Sequence, residues 1–134
     1  MKEQYHAEIE KLLEYSERDL SMAVHVYGTT NTNFLRHVCC ACHQSAINSF
    51  SAFLVFRGVK LTNELSLKEL KEMCEKSDND FSVISELSSN LFRYTLDSNY
   101  PGVIEVTEQE TQVAIVAASV VREFVKSKVI KETT

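Results

Sequence analysis

Asn33–Arg57 reads NFLRHVCCACHQSAINSFSAFLVFR, and the spacing of its apolar residues decides the fold. At 100° per residue, Leu35, Cys39, Cys42, Ala46 and Phe53 form one stripe, and Cys40, Ile47, Phe50 and Leu54 form a neighbouring one. So wide a stripe predicts a central helix that touches several neighbours. Its small residues Ala41, Cys42, Ser45, Ala46 and Ser49 would let another helix approach closely. Gly58, placed at C′, ends the helix at Arg57.

Upstream, Glu3 to Tyr27 carries Tyr5, Ile9, Leu12, Leu13, Leu20, Ala23, Val24 and Tyr27 at helical intervals, with Glu8, Glu10, Lys11, Glu14, Glu17 and Arg18 opposite. Gly28 closes that helix, and Thr29-Thr30-Asn31-Thr32 connects it to the next. Downstream, Ser66 and Glu69 make a capping box, with Leu65 and Leu70 placed as a hydrophobic staple, so a short helix runs to about Lys76. Ser77-Asp78-Asn79-Asp80 breaks it and caps a further helix burying Phe81, Ile84, Leu87, Leu91 and Tyr94. Leu96 to Val106 is irregular, with Pro101-Gly102 suited to a type II turn. Thr107-Glu108-Gln109-Glu110 is a second capping box. It opens a last helix bearing Val113, Val116, Ala117, Val120, Val121, Phe124 and Val125, with acids first and Lys126, Lys128 and Lys131 last, as the helix dipole favours. The expectation is an all-α antiparallel up-and-down helical bundle, four long helices plus one short, forming a single domain over residues 1–134.

Composition agrees. The chain has 134 residues, 44% hydrophobic and 25% charged, an ordinary balance for one globular domain. Three Gly and one Pro are too few for a many-turned β architecture. The longest apolar run, Ser49 to Phe56, falls far short of the roughly 20 residues that span a bilayer. The N-terminus leads straight into an amphipathic helix rather than a signal peptide, so a cytoplasmic location away from membranes is expected. A formal charge of −5 with no basic cluster disfavours broad nucleic-acid binding by the chain alone.

Few residues promise chemistry. Cys39, Cys42 and His43 share an arc of one helix and, with Cys74, have zinc-ligand chemistry. Three ligands in consecutive turns rarely close a tetrahedron, so packing as small hydrophobes is the preferred reading and no metal or cofactor is expected. Asp78-Asn79-Asp80 lacks the central Gly and terminal Glu of a calcium loop. Glycine-rich phosphate loops, nucleophile elbows and paired zinc-binding histidines are missing from the sequence, which excludes most enzyme classes recognisable from short motifs. Arg36 and His43 remain: seven residues apart, they emerge about 20° apart and ~10 Å along the helix axis. There Arg would hold a phosphate while His moves a proton; solvated Arg and a hydrogen-bonded His at the core edge is the plainer reading.

The helix pair resembles the HEPN family (higher eukaryotes and prokaryotes nucleotide-binding domain). Tyr15-Ser16-Glu17-Arg18-Asp19-Leu20-Ser21-Met22-Ala23 is similar to its first-helix pattern. Cys42-His43-Gln44-Ser45-Ala46, followed by Phe50, Ala52, Phe53, Leu54 and Gly58, is similar to its second, and Tyr94 with Tyr100-Pro101-Gly102 to its Tyr-Pro turn. The resemblance implies a bundle that commonly dimerises, is often encoded beside a minimal nucleotidyltransferase, and in some branches is a metal-independent RNase toxin with an antitoxin-type partner. Ile47, Asn48 and Ser51 stand where the family usually has Glu and Lys, and Asn99 where an Arg often precedes Tyr-Pro.

The leading expectation is therefore a non-catalytic module acting as a homodimer with a nucleotidyltransferase-type or antitoxin-type partner, the apolar line Cys40, Ile47 and Leu54 covering the mate. A nucleotide would be met by His43, Gln44, Asn48 and Tyr94. The alternative is an endoribonuclease with Arg36 on the scissile phosphate of an RNA and His43 as general acid/base.

Overall fold

The computed structural model describes residues 2–29, 32–62, 64–95 and 105–133; Asn99, Tyr100 and the Pro101-Gly102 turn lie outside them. Helices α1 (Lys2–Gly28), α2 (Leu35–Phe56), α3 (Leu67–Ser77), α4 (Ser85–Ser89) and α5 (Glu108–Thr133) follow one another, and there is no strand among the described residues. A 3-10 turn, Thr32–Phe34, leads into α2, and a second, Asn79–Ile84, precedes α4. Helix α2 is the central element, packed against α1, α5 and α3. Its length and apolarity suffice to cross a membrane, but most of it is buried inside the domain, where α1, α3 and α5 take up its apolar surface.

Both sequence capping boxes form. Ser66 Oγ accepts the Glu69 amide at 3.1 Å while Glu69 Oε1 accepts the Ser66 amide at 3.2 Å. Thr107 and Glu110 exchange the same pair at the head of α5. Arg57 caps α2, and Gly58 adopts φ +82°, the left-handed conformation a side chain would resist.

The fourth segment differs from the single long helix expected. Asp78 accepts the Asp80 amide and starts a 3-10 turn, after which α4 is five residues long. Ser88, Ser89 and Asn90 then turn their side chains onto carbonyls three residues back. That local bonding competes with helix propagation. Phe81, Ile84, Leu91 and Tyr94 are buried all the same, with Leu87 half-buried.

Two seams hold the bundle. Between α1 and α2, Ser16 Oγ lies 3.0 Å from Ser45 Oγ and 2.7 Å from Ser49 Oγ, and Ser45 Oγ donates to the Ser16 carbonyl at 2.9 Å. These serines are fully buried, small enough for close contact and mutually satisfied. On the other side, the Phe81 ring stands 4.5 Å from Phe53, 6.1 Å from Phe50 and 4.9 Å from Phe124, joining α2, the 3-10 turn and α5.

Helix α5 faces α2 with Thr111, Ala114, Ala117, Ala118, Val121, Val125 and Val129. Val113 and Val116, read from the sequence as core, are exposed, and so is Val24 on α1. Cys40 and Leu54, expected to cover a mate, are buried within their own chain, with Ile47 half-buried beside them.

Lys128 ties the end of α5 to the α3–α4 connection through Asp78, 2.9 Å away, and Asp80. Lys128 and the Asp80 amide hold Asp78 below the usual carboxylate value, and the two aspartates push Lys128 up. The Asp78 contribution is present above its ordinary pKa of 3.8 and is lost as pH falls below it; that of Lys128 is present below 10.5 and is lost as pH rises beyond it. Lys128→Ala is expected to flatten both limbs of the stability–pH curve, measured by chemical denaturation from pH 3 to 11.

Candidate functional site

One face of α2 meets the turn that follows α4 and the head of α5. His43 is buried there, 7% exposed, with Nδ1 2.6 Å from the Leu91 carbonyl. A carbonyl only accepts, so Nδ1 carries the proton in the neutral ring. Burial pushes the imidazole pKa down against the opposing pull of that bond. The Leu91 carbonyl also accepts the Tyr94 amide at 3.3 Å, so His43 and Tyr94 meet at one oxygen.

A polar string continues outward from this point. Tyr94 is buried, which raises its phenol pKa, and its hydroxyl interacts with Cys39. The Cys39 thiol donates to Thr111 Oγ1 at 3.6 Å, and the Thr111 hydroxyl donates to the Thr107 carbonyl at 2.8 Å. Glu110, engaged in the Thr107 box, binds Arg93 at 3.0 Å, whose guanidinium lies 5.3 Å from the Tyr94 ring centre. Around this end opens a cleft of about 670 Å³ lined by Ser89, Asn90, Arg93, Tyr94, Glu110 and Val113, among others.

Arg36 sits in the first turns of α2, half-buried, with Nε buried and without a hydrogen-bond partner. Its charge acts on Cys40, whose pKa is raised by burial. Arg36 and His43 do lie on one side of α2, as the spacing indicates, but the imidazole is packed into the core. Gln44 faces solvent. Asn48 is turned the other way, donating to Asp19 Oδ2 on α1 at 3.0 Å. Of the four residues assigned to a nucleotide, the structure joins His43 with Tyr94 and sets Gln44 and Asn48 apart.

All four cysteines are free and buried. Burial raises the Cys42 thiol to about 12 and pushes Cys74 up as well. The Cys74 thiol points at the Phe50 carbonyl, 3.7 Å away, while Cys39 faces Thr111. Among the described residues no three His, Cys, Asp or Glu side chains converge in a metal-binding group.

Sequence reasoning missed Arg93, Glu110 and Thr111. The available signal was the Thr107–Glu110 capping box, which fixes where Glu110 points, together with Arg93 directly before Tyr94.

No curated protein matches the chain. In fold it is similar to the crystal structure of an archaeal HEPN homologue, with a TM-score of 0.69 and 20% identity over 90% of this chain and 97% of that one. The HEPN domain family model matches residues 9–128. With nearly the whole bundle inside that match, the chain belongs to the HEPN domain family.

Proposed function

We propose that this chain is a non-catalytic HEPN module that works by association, with a second copy of itself and with a nucleotidyltransferase-type partner. The observation that carries the non-catalytic part is His43: the imidazole on the Arg36 face is buried and bound to the Leu91 carbonyl. A general acid/base must reach the proton it moves, and this ring would have to leave the core to do so. Incubated with assorted RNAs, the protein is expected to leave them intact. Cleavage that survives chelator and disappears in His43→Ala would overturn the reading in favour of the endoribonuclease. Self-association is tested by sedimentation at micromolar concentration, where a monodisperse monomer sinks it.

A second reading concerns nucleotide binding. Arg93, about half exposed at the cleft and lying over the buried Tyr94 ring, offers a phosphate contact. Calorimetry with a nucleotide panel checks it; no heat at millimolar concentration disposes of it.

A further inference from the structure

We propose that the turn after α4, residues 90–93, is a hinged wall of the cleft, latched at the rim by Glu110 and from behind by His43, so that the cleft gains the imidazole only when the wall lifts. One side of the cleft of about 670 Å³ is formed by residues 89–94, and the facing side by the head of α5, residues 107–113. The ion pair of Arg93 with Glu110 Oε2, at 3.0 Å, spans the opening. Behind the wall, the Leu91 carbonyl accepts from His43 Nδ1 at 2.6 Å. One short stretch is thus held from two sides, by a residue of α5 and by a residue of α2.

Its own backbone holds it loosely. Asn90, Leu91 and Phe92 donate their amides to Leu87, Ser88 and Ser89 at 3.2, 3.0 and 3.3 Å, a run of three-residue turns without the longer-range bonding of an α-helix. The side chains of Ser89 and Asn90 are exposed and bond within the same segment, which leaves Leu91 as the deep anchor. Both ends of the wall are fixed. Ser88 is buried with its hydroxyl on the Ser85 carbonyl at 3.0 Å, and Tyr94 is buried with its hydroxyl against Cys39. A stretch with so few buried contacts between two fixed ends opens at a lower free energy than the bundle as a whole. The rim is the weaker catch, since the Arg93 and Glu110 side chains are 52% and 34% exposed and water screens them. Glu110 also accepts the Thr107 amide at 3.3 Å, so it stays with α5 when Arg93 lets go.

Carbethoxylation of the full chain by diethyl pyrocarbonate, read by peptide mass spectrometry, measures how often His43 is uncovered, with the exposed His25 and His37 as internal references. The reagent attacks Nε2, because Nδ1 carries the proton. Neither RNA nor a partner enters the measurement, so its result is separate from the association reading. Glu110→Gln keeps an oxygen for the Thr107 cap and loses the ion pair; Arg93→Ala loses it from the other side. Each is expected to raise the His43 rate about two- to fivefold, the worth of a half-exposed ion pair, with the circular dichroism spectrum unchanged. Lys128→Ala removes the ion pair to Asp78 at the far end of the segment and is expected to leave the rate at the wild-type value. A rise in Lys128→Ala as large as in the rim variants would mean that His43 is reached only by unfolding of the whole bundle, and would overturn the hinged wall. A rate unmoved by Glu110→Gln or by Arg93→Ala would overturn it as well.

Discussion

Phe81→Ala is expected to lower the unfolding free energy by about 3–5 kcal/mol, the cost of emptying a large aromatic from a packed core. The ring is fully buried and touches Phe50 and Phe53 from α2 and Phe124 from α5. None of these neighbours can follow it into the void easily, since α2 is fixed on its far side by the serine seam to α1. A 3-10 turn also lacks the regular backbone that would let a neighbouring side chain substitute. Against a total stability of about 5–15 kcal/mol, the loss approaches unfolding. Urea denaturation of wild type and variant gives the difference, and a value below about 1 kcal/mol would mean that the rings do not bridge α2 and α5.

His43→Ala is the second large effect, about 2–4 kcal/mol, combining a lost side-chain volume with a lost hydrogen bond to the Leu91 carbonyl. The carbonyl retains the Tyr94 amide, which keeps the penalty from rising further. The same residue imposes a pH dependence. Its folded pKa lies below the ordinary 6.5 because burial disfavours the imidazolium, so the unfolded chain takes up the proton first. Stability therefore falls as pH drops below about 6.5 and levels off once pH passes the folded pKa. Thermal melts between pH 8 and 5 should show this slope in wild type and lose it in His43→Gln. An unchanged slope in that variant would assign the effect elsewhere.

How far the sequence could be read depends on the range of the interaction involved. The three long helices and both capping boxes were legible, because apolar period and cap chemistry act within a few residues. The break at Asp78 to Asn90 was not: the apolar spacing of Phe81, Ile84 and Leu91 is helical, while Ser88, Ser89 and Asn90 settle the backbone through bonds that the period ignores. On helix α5 the expected face holds for Ala117, Val121 and Val125, which are buried, and fails at Val113 and Val116, which are exposed, for an instructive reason. Its valines are the more hydrophobic residues, but a central helix already filled by Phe50 and Phe53 leaves room for Ala114, Ala117 and Ala118, so small size outweighed greasiness.

The common side of Arg36 and His43 followed from angular arithmetic alone. Their surroundings did not, because the Leu91 carbonyl lies 48 positions from His43 and Asp19 lies 29 from Asn48. Such pairings exist only once the helices are packed, and they decide whether an imidazole is a reagent or a strut. HEPN membership itself rested on the order of motifs along the chain and is carried by the family match over residues 9–128.

Sealing every thiol inside the bundle has a practical consequence. With all four cysteines interior and Cys42 held to about 12, a maleimide or disulfide reagent added to the folded domain finds nothing to attack. Labelling then waits on breathing of the whole molecule, so its pace becomes a clock for rare openings. A cysteine engineered on the surface would be modified cleanly against a silent background.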